Sequence, residues 1–162
     1  MDSSSPSYTT NKPIRTILRA GVVAGVLDAL AAMIMTLVRG GNDPLIVWKY
    51  VASGAFGPNA LTDGPSMIFW GLAFHFLIAF SFASLFYAIY PSLRRFIDST
   101  TAMGLLYGIP VWVIMNLIVI PASRIKMAPF ELSRVTIGMG ILMICVGLPI
   151  ALIVSKNYSG KA

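Results

Sequence analysis

Asp28, His75 and Asn116 are the side chains whose types and setting point to chemistry in this sequence. Each stands inside a long apolar run, where an ionisable or amide group is costly and must face a helix-bundle interior or a partner. Measured from the side that carries the termini, Asp28 lies roughly 12–16 Å deep, His75 roughly 20–22 Å and Asn116 roughly 21 Å, at about 1.5 Å per residue. One or two helical turns in depth therefore separate them, and a shared network is geometrically possible. A carboxylate beside a neutral imidazole can exchange a proton, so one reading is a proton-responsive transport site. The other is a polar clasp: a buried hydrogen-bonded pair that fixes helix register and contributes roughly 0.6–2 kcal/mol. Both readings stand at this point.

Other reaction chemistries find little support. One His, one Asp and one Asn make a poor ligand set where a structural zinc wants about four ligands, so no metal is expected. A lone histidine excludes bis-histidine haem within one chain. The nine methionines, Met33, Met35, Met139 and Met143 among them, offer soft thioethers but read as flexible core packing. Cys145 is the single cysteine, so an intrachain disulfide is impossible. No nucleophile–base pair, phosphate loop or dinucleotide fingerprint is present. The expectation is a non-enzyme with no catalytic residue and no cofactor. A quinone-binding module or membrane enzyme would need His75 with Tyr107 or Trp112 lining a cavity open to lipid.

The elements that must position the trio are legible in the composition. Hydrophobic residues make up 57% of the chain and charged residues 11%, and mean hydropathy is +0.80. That much apolar surface suits a bilayer, and runs at 17–38, 66–90, 101–122 and 134–154 are each close to the roughly 20 residues a crossing helix needs. The fold class is therefore all-α: an integral membrane four-helix bundle of two transmembrane hairpins. Residues 1–16 form a polar, disordered N-terminus, and 156–162 a C-terminal tail. Gly21 and Gly25 share a small-residue face with Asp28. Gly71 begins a slanted small-residue ridge through His75, and Gly104-x-x-x-Gly108 marks close helix approach. Pro110 and Pro149 fall inside helices and are hinge candidates. Pro91 is expected to end the second helix.

A short interfacial helix is predicted over 44–54, with Asp43 capping, Pro44 at its first position and Gly54 closing it. Leu45, Trp48, Ala52 and Phe56 form its apolar face, Lys49 and Ser53 lie away from it, and Trp48 and Tyr50 serve as interfacial anchors. Pro121 and Pro129 flank a smaller basic loop holding Arg124 and Lys126.

The net charge of +6 does not imply nucleic acid, because the basic residues sit at helix ends and in short loops. Lys12, Arg15, Arg19, Arg94, Arg95, Lys156 and Lys161 lie on one side. Arg39, Lys49, Arg124, Lys126 and Arg134 lie on the other. The positive-inside rule then places both termini in the cytoplasm.

The stretch Tyr50-Val51-Ala52-Ser53-Gly54-Ala55-Phe56-Gly57, then Gly71-Leu72-Ala73-Phe74-His75-Phe76 and Pro91, resembles small four-helix inner-membrane proteins of bacteria of the YagU-like kind. The resemblance covers most of the first three helices. It implies a multi-pass protein of the bacterial inner membrane and no activity, and no catalytic residue carries over from it. The first functional expectation is an accessory or structural membrane component, working with the lipid bilayer as a homo-oligomer or as a subunit of a larger membrane complex. The alternative is a small proton-coupled transporter or channel built on Asp28 and His75.

Overall fold

A computed structural model describes residues 11–125 and 131–159. Among the described residues all regular structure is helical. The elements are α1 (Asn11–Val38) and α2 (Ile46–Phe56), then α3 (Ser66–Leu93), α4 (Thr100–Ala122) and α5 (Leu132–Tyr158). A 3₁₀ turn at Pro58–Leu61 links α2 to α3. Helices α1, α3, α4 and α5 are long and apolar enough to cross a membrane, the pattern of a multi-pass membrane protein. Residues 1–10 of the expected polar N-terminus, Lys126, Pro129 and Lys161 lie outside the described residues. Helix α1 starts at Asn11 rather than 17, so 11–16 is helical; Pro13 falls in the first turn, where a missing N–H breaks no ladder bond.

Two helix pairs, α1 with α3 and α4 with α5, meet along α1 and α5, while α2 lies against α3. All four long helices contribute to one core, whose fully buried side chains include Phe86, Met103, Val111, Ile150 and Val154. Close approach is possible because of glycine. A Cβ at Gly21 or Gly25 would run into the rings of Phe80 or Phe76, and one at Gly104 or Gly108 into the backbone of α5. Helices α3 and α4 are joined differently: the Tyr107 hydroxyl donates to the Phe82 carbonyl at 2.8 Å, and its ring meets Phe86 edge-on with centroids 4.7 Å apart.

Four prolines lie within long helices without stopping them, and three of these show how. Pro91 does not end α3, which continues to Leu93. Proline deprives the carbonyl four residues back of its donor, here Tyr87, and the Tyr158 hydroxyl of α5 donates to that carbonyl instead at 3.2 Å. Asn157 adds a bond from its side-chain amide to the Tyr87 hydroxyl at 3.1 Å. Tyr158→Phe should therefore lower the unfolding midpoint in mixed micelles by the equivalent of roughly 0.6–1.7 kcal/mol. The other two prolines follow π-helical turns. Met115–Val119 precedes Pro121, and Leu142–Gly147 precedes Pro149. In each, a backbone N–H reaches five residues back, Ile120 to the Met115 carbonyl and Leu148 to the Met143 carbonyl. A wider turn accommodates the carbonyl that a following proline ring would otherwise strike. Pro110 sits in unbroken α-helix.

Helix α2 differs in detail from the expected 44–54. Asp43 makes a local turn, accepting from the Leu45 N–H at 2.9 Å, and caps no helix. The helix runs past Gly54 to Gly57, whose φ of 85° suits glycine. Its inner face is Trp48, Ala52 and Ser53, while Leu45 and Phe56 are exposed. Ser53 is thus on the packing face rather than away from it; its hydroxyl is satisfied by the Tyr50 carbonyl. Lys49 does point away, donating to the Asp63 carbonyl at 2.6 Å. Trp48 is no surface anchor either. It is 5% exposed, with its backbone against Gly71 and its ring edge-on to His75.

Candidate functional site

Asp28 on α1, His75 on α3 and Asn116 on α4 line one central cavity of about 230 Å³. Its remaining wall is apolar: Ala24, Ile78, Phe82, Val111 and Val146 among others. The three polar groups do not bond one another. His75 Nε2 sits 2.8 Å from the Gly25 carbonyl oxygen, tying α3 to α1 one turn from Asp28. Asn116 donates back to the Trp112 carbonyl of its own helix at 2.9 Å. Among the described residues the Asp28 carboxylate has no hydrogen-bond partner, although it lies within electrostatic reach of His75. Helix-to-helix clasping is therefore done by His75 on a backbone oxygen, and Asp28 is left facing open space.

That space has two levels. Asp28 and Asn116 also border a vestibule of about 570 Å³, which extends toward the α1–α2 end of the molecule. The vestibule wall follows one stripe of α1, through Asp28, Ala32, Thr36 and Arg39, and is completed by Tyr50, Trp112 and Arg134. Arg134 at its rim is bound through Nε to Glu131 at 2.7 Å. The Ser133 hydroxyl and then Arg134 hold the Glu131 carboxyl below the usual carboxylate range. Burial pushes the Tyr50 phenol up. The charge order down this stripe is arginine at the mouth and carboxylate at the floor.

Both π-helical turns border the central cavity. Met115 and Asn116 belong to the one in α4, and Leu142 and Val146 to the one in α5. Such turns re-aim side chains and recur at functional sites. No family model, curated protein or solved structure matches this chain.

Sequence reading picked out the trio because each member is polar within an apolar run. It gives no sign that Trp48 backs His75, whereas Pro121 falls in α4 within the expected 101–122 run. Met139 and Met143 are not brought to the trio, and among the described residues no cluster suits a metal ion. Pro149 stands just past the π-helical turn at the cavity, whereas Pro110 lies away from the trio, on a groove between α3 and α4.

Proposed function

We propose that this chain is a small multi-pass membrane carrier in which Asp28, beside His75, exchanges a proton in step with a bound solute. The observation that carries the reading is the Asp28 carboxylate, without a hydrogen-bond partner among the described residues and shared between a central cavity and an open vestibule. A purely structural clasp would spend that carboxylate on a hydrogen bond, because an unsatisfied polar group in the membrane is costly. Below the cavity the core is closed by Phe86, Met103, Ile150 and Val154, which favours a carrier with one-sided access over an open channel.

The membrane setting is supported by the surface. Large apolar side chains such as Leu18, Leu30, Leu77, Leu117 and Ile144 are exposed on all four long helices, where lipid would cover them. Exposed Phe69 and Trp70 mark one end of α3, and the Tyr87–Tyr90–Tyr158 cluster the other. From Trp70 to Tyr90 the helix rises roughly 30 Å, the thickness of a hydrocarbon core flanked by aromatic belts. Trp70 thus takes the anchoring role expected of Trp48. A bacterial inner membrane with cytoplasmic termini is the setting that the basic-residue count and the family resemblance favour. The vestibule then opens away from the cytoplasm. An accessory subunit would instead offer one coherent partner face; the exposed apolar side chains are spread around the bundle and single out no such face.

Polar and titratable groups sharing a cavity wall with Asp28 come from each neighbouring element: Arg39 just past the end of α1, Tyr50 from α2, His75 from α3, Asn116 from α4 and Arg134 from α5, with Cys145 of α5 within electrostatic reach. The test needs no knowledge of the solute. Proteoliposomes on a solid-supported membrane, stepped in pH, should give a transient charge displacement that Asp28→Asn reduces by more than about tenfold, since one carboxylate is the exchanging group. Glu131→Gln should leave it intact. Equal displacement in wild type and Asp28→Asn would sink the proposal.

A further inference from the structure

The seam between α3 and α4 is open on the lipid side. Tyr107 and its partners bridge it, but on either side of that bridge lie apolar grooves of about 310 Å³ and 200 Å³. The larger is bounded by α2, α3 and α4, and it reaches the molecular surface at Leu77, which is 63% exposed. It adjoins the central cavity: Val51, Ile78, Met115 and Ile120 line both. Among the described residues only Tyr50 and Ser123 bring side-chain hydroxyls to that groove, and the Ser123 hydroxyl donates to the Ile120 carbonyl.

We propose that this groove and the central cavity together bind an amphiphilic cation taken from the lipid phase, its apolar chain lying between α3 and α4 and its charged head against Asp28. The inference rests on the proton-exchange reading for the role of Asp28 and adds the class of solute. Three observations select the occupant. The groove is apolar and opens to lipid, so the part entering it is a hydrocarbon chain. The cavity beyond it ends on a carboxylate with no bound partner, so the head is a cation. The arginines Arg39 and Arg134 line the vestibule and neither cavity nor groove, so among the described residues no arginine or lysine stands on the seam path to pair with an acid. A fatty acid or a lipid phosphate would meet Asp28 with like charge.

The probe is a diazirine-bearing dodecylamine, photolysed on the full chain in phosphatidylcholine nanodiscs, with labelled positions mapped by mass spectrometry. Labels should concentrate at Ile78, Met115 and Ile120, and dodecylamine should compete more than about tenfold better than dodecanoic acid. Asp28→Asn should abolish that preference. Leu77→Trp, which obstructs the groove at its lipid mouth on a side chain that does not line the cavity, should cut labelling while leaving the pH-step charge displacement unchanged. Labels spread evenly over lipid-facing positions, or equal competition by the acid, would overturn the proposal. The two readings fail separately. Displacement that depends on Asp28 without seam labelling removes the amphiphile and keeps proton exchange. Seam labelling that depends on Asp28, with no displacement, keeps the ligand class and removes the carrier.

Discussion

Gly71→Ala is expected to destabilise the protein by about 3 kcal/mol, the upper end of what overpacking a close-packed interior costs. The added methyl would overlap the carbonyl oxygen of Trp48 and approach its Cα, all of it backbone, so no side-chain rotation can relieve the clash. The only relief is to move α2 away from α3. That movement withdraws the Trp48 ring from His75, whose centroids now stand 5.3 Å apart, and loosens Val51 where it walls both the cavity and the groove. Unfolding in mixed micelles, followed by tryptophan fluorescence, reads both stability and the Trp48 environment. Ala73→Leu, two residues along on the exposed face of α3, is the control and should stay within about 0.5 kcal/mol of wild type. A Gly71→Ala midpoint equal to that of the control would mean that α2 does not seat on α3 as described.

How legible this was in the sequence depends on what kind of information each feature needs. The long helices were readable because hydropathy over about 20 residues is a composition property, insensitive to neighbours. Their ends differ where tertiary contacts intervene: α3 outlasts Pro91, and Tyr158, far away in the chain, supplies a donor for the Tyr87 carbonyl that Pro91 leaves without one. The polar trio was readable as unusual, yet its convergence was not, because periodicity fixes a face on each helix but not how helices rotate against one another. Even then the expected pairing was incomplete. His75 found the Gly25 carbonyl, an acceptor no side-chain pattern advertises. The position of Trp48 escapes the sequence for a related reason. A tryptophan on a short amphipathic helix suits a headgroup interface as well as a helix surface, and only the glycine opposite it, Gly71, decides between them. The π-helical turns leave no direct mark beyond the prolines that follow them.

A second prediction separates helix propensity from packing within one helix. Propensity alone says that replacing any glycine inside α5 by alanine should stabilise it, by up to about 1 kcal/mol. At Gly140 nothing lies within 4 Å of an added Cβ, so Gly140→Ala should show that gain. At Gly147 the same methyl would overlap the Gly104 carbonyl oxygen and crowd the Gly108 nitrogen, both on the α4 backbone. Gly147→Ala should therefore cost about 3 kcal/mol, since α4 must slide off α5 to admit it. The damage should also reach the site. Gly147 closes the π-helical turn of α5 at the cavity, and a displaced α4 takes Met115 and Asn116 with it. The pH-step charge displacement should thus fall in Gly147→Ala and persist in Gly140→Ala, with both stabilities read by the same mixed-micelle unfolding. Opposite signs at two glycines seven residues apart on one helix can come only from the close α4–α5 seam. If both substitutions stabilise, that seam is wrong, and with it the placement of Asn116 beside Asp28.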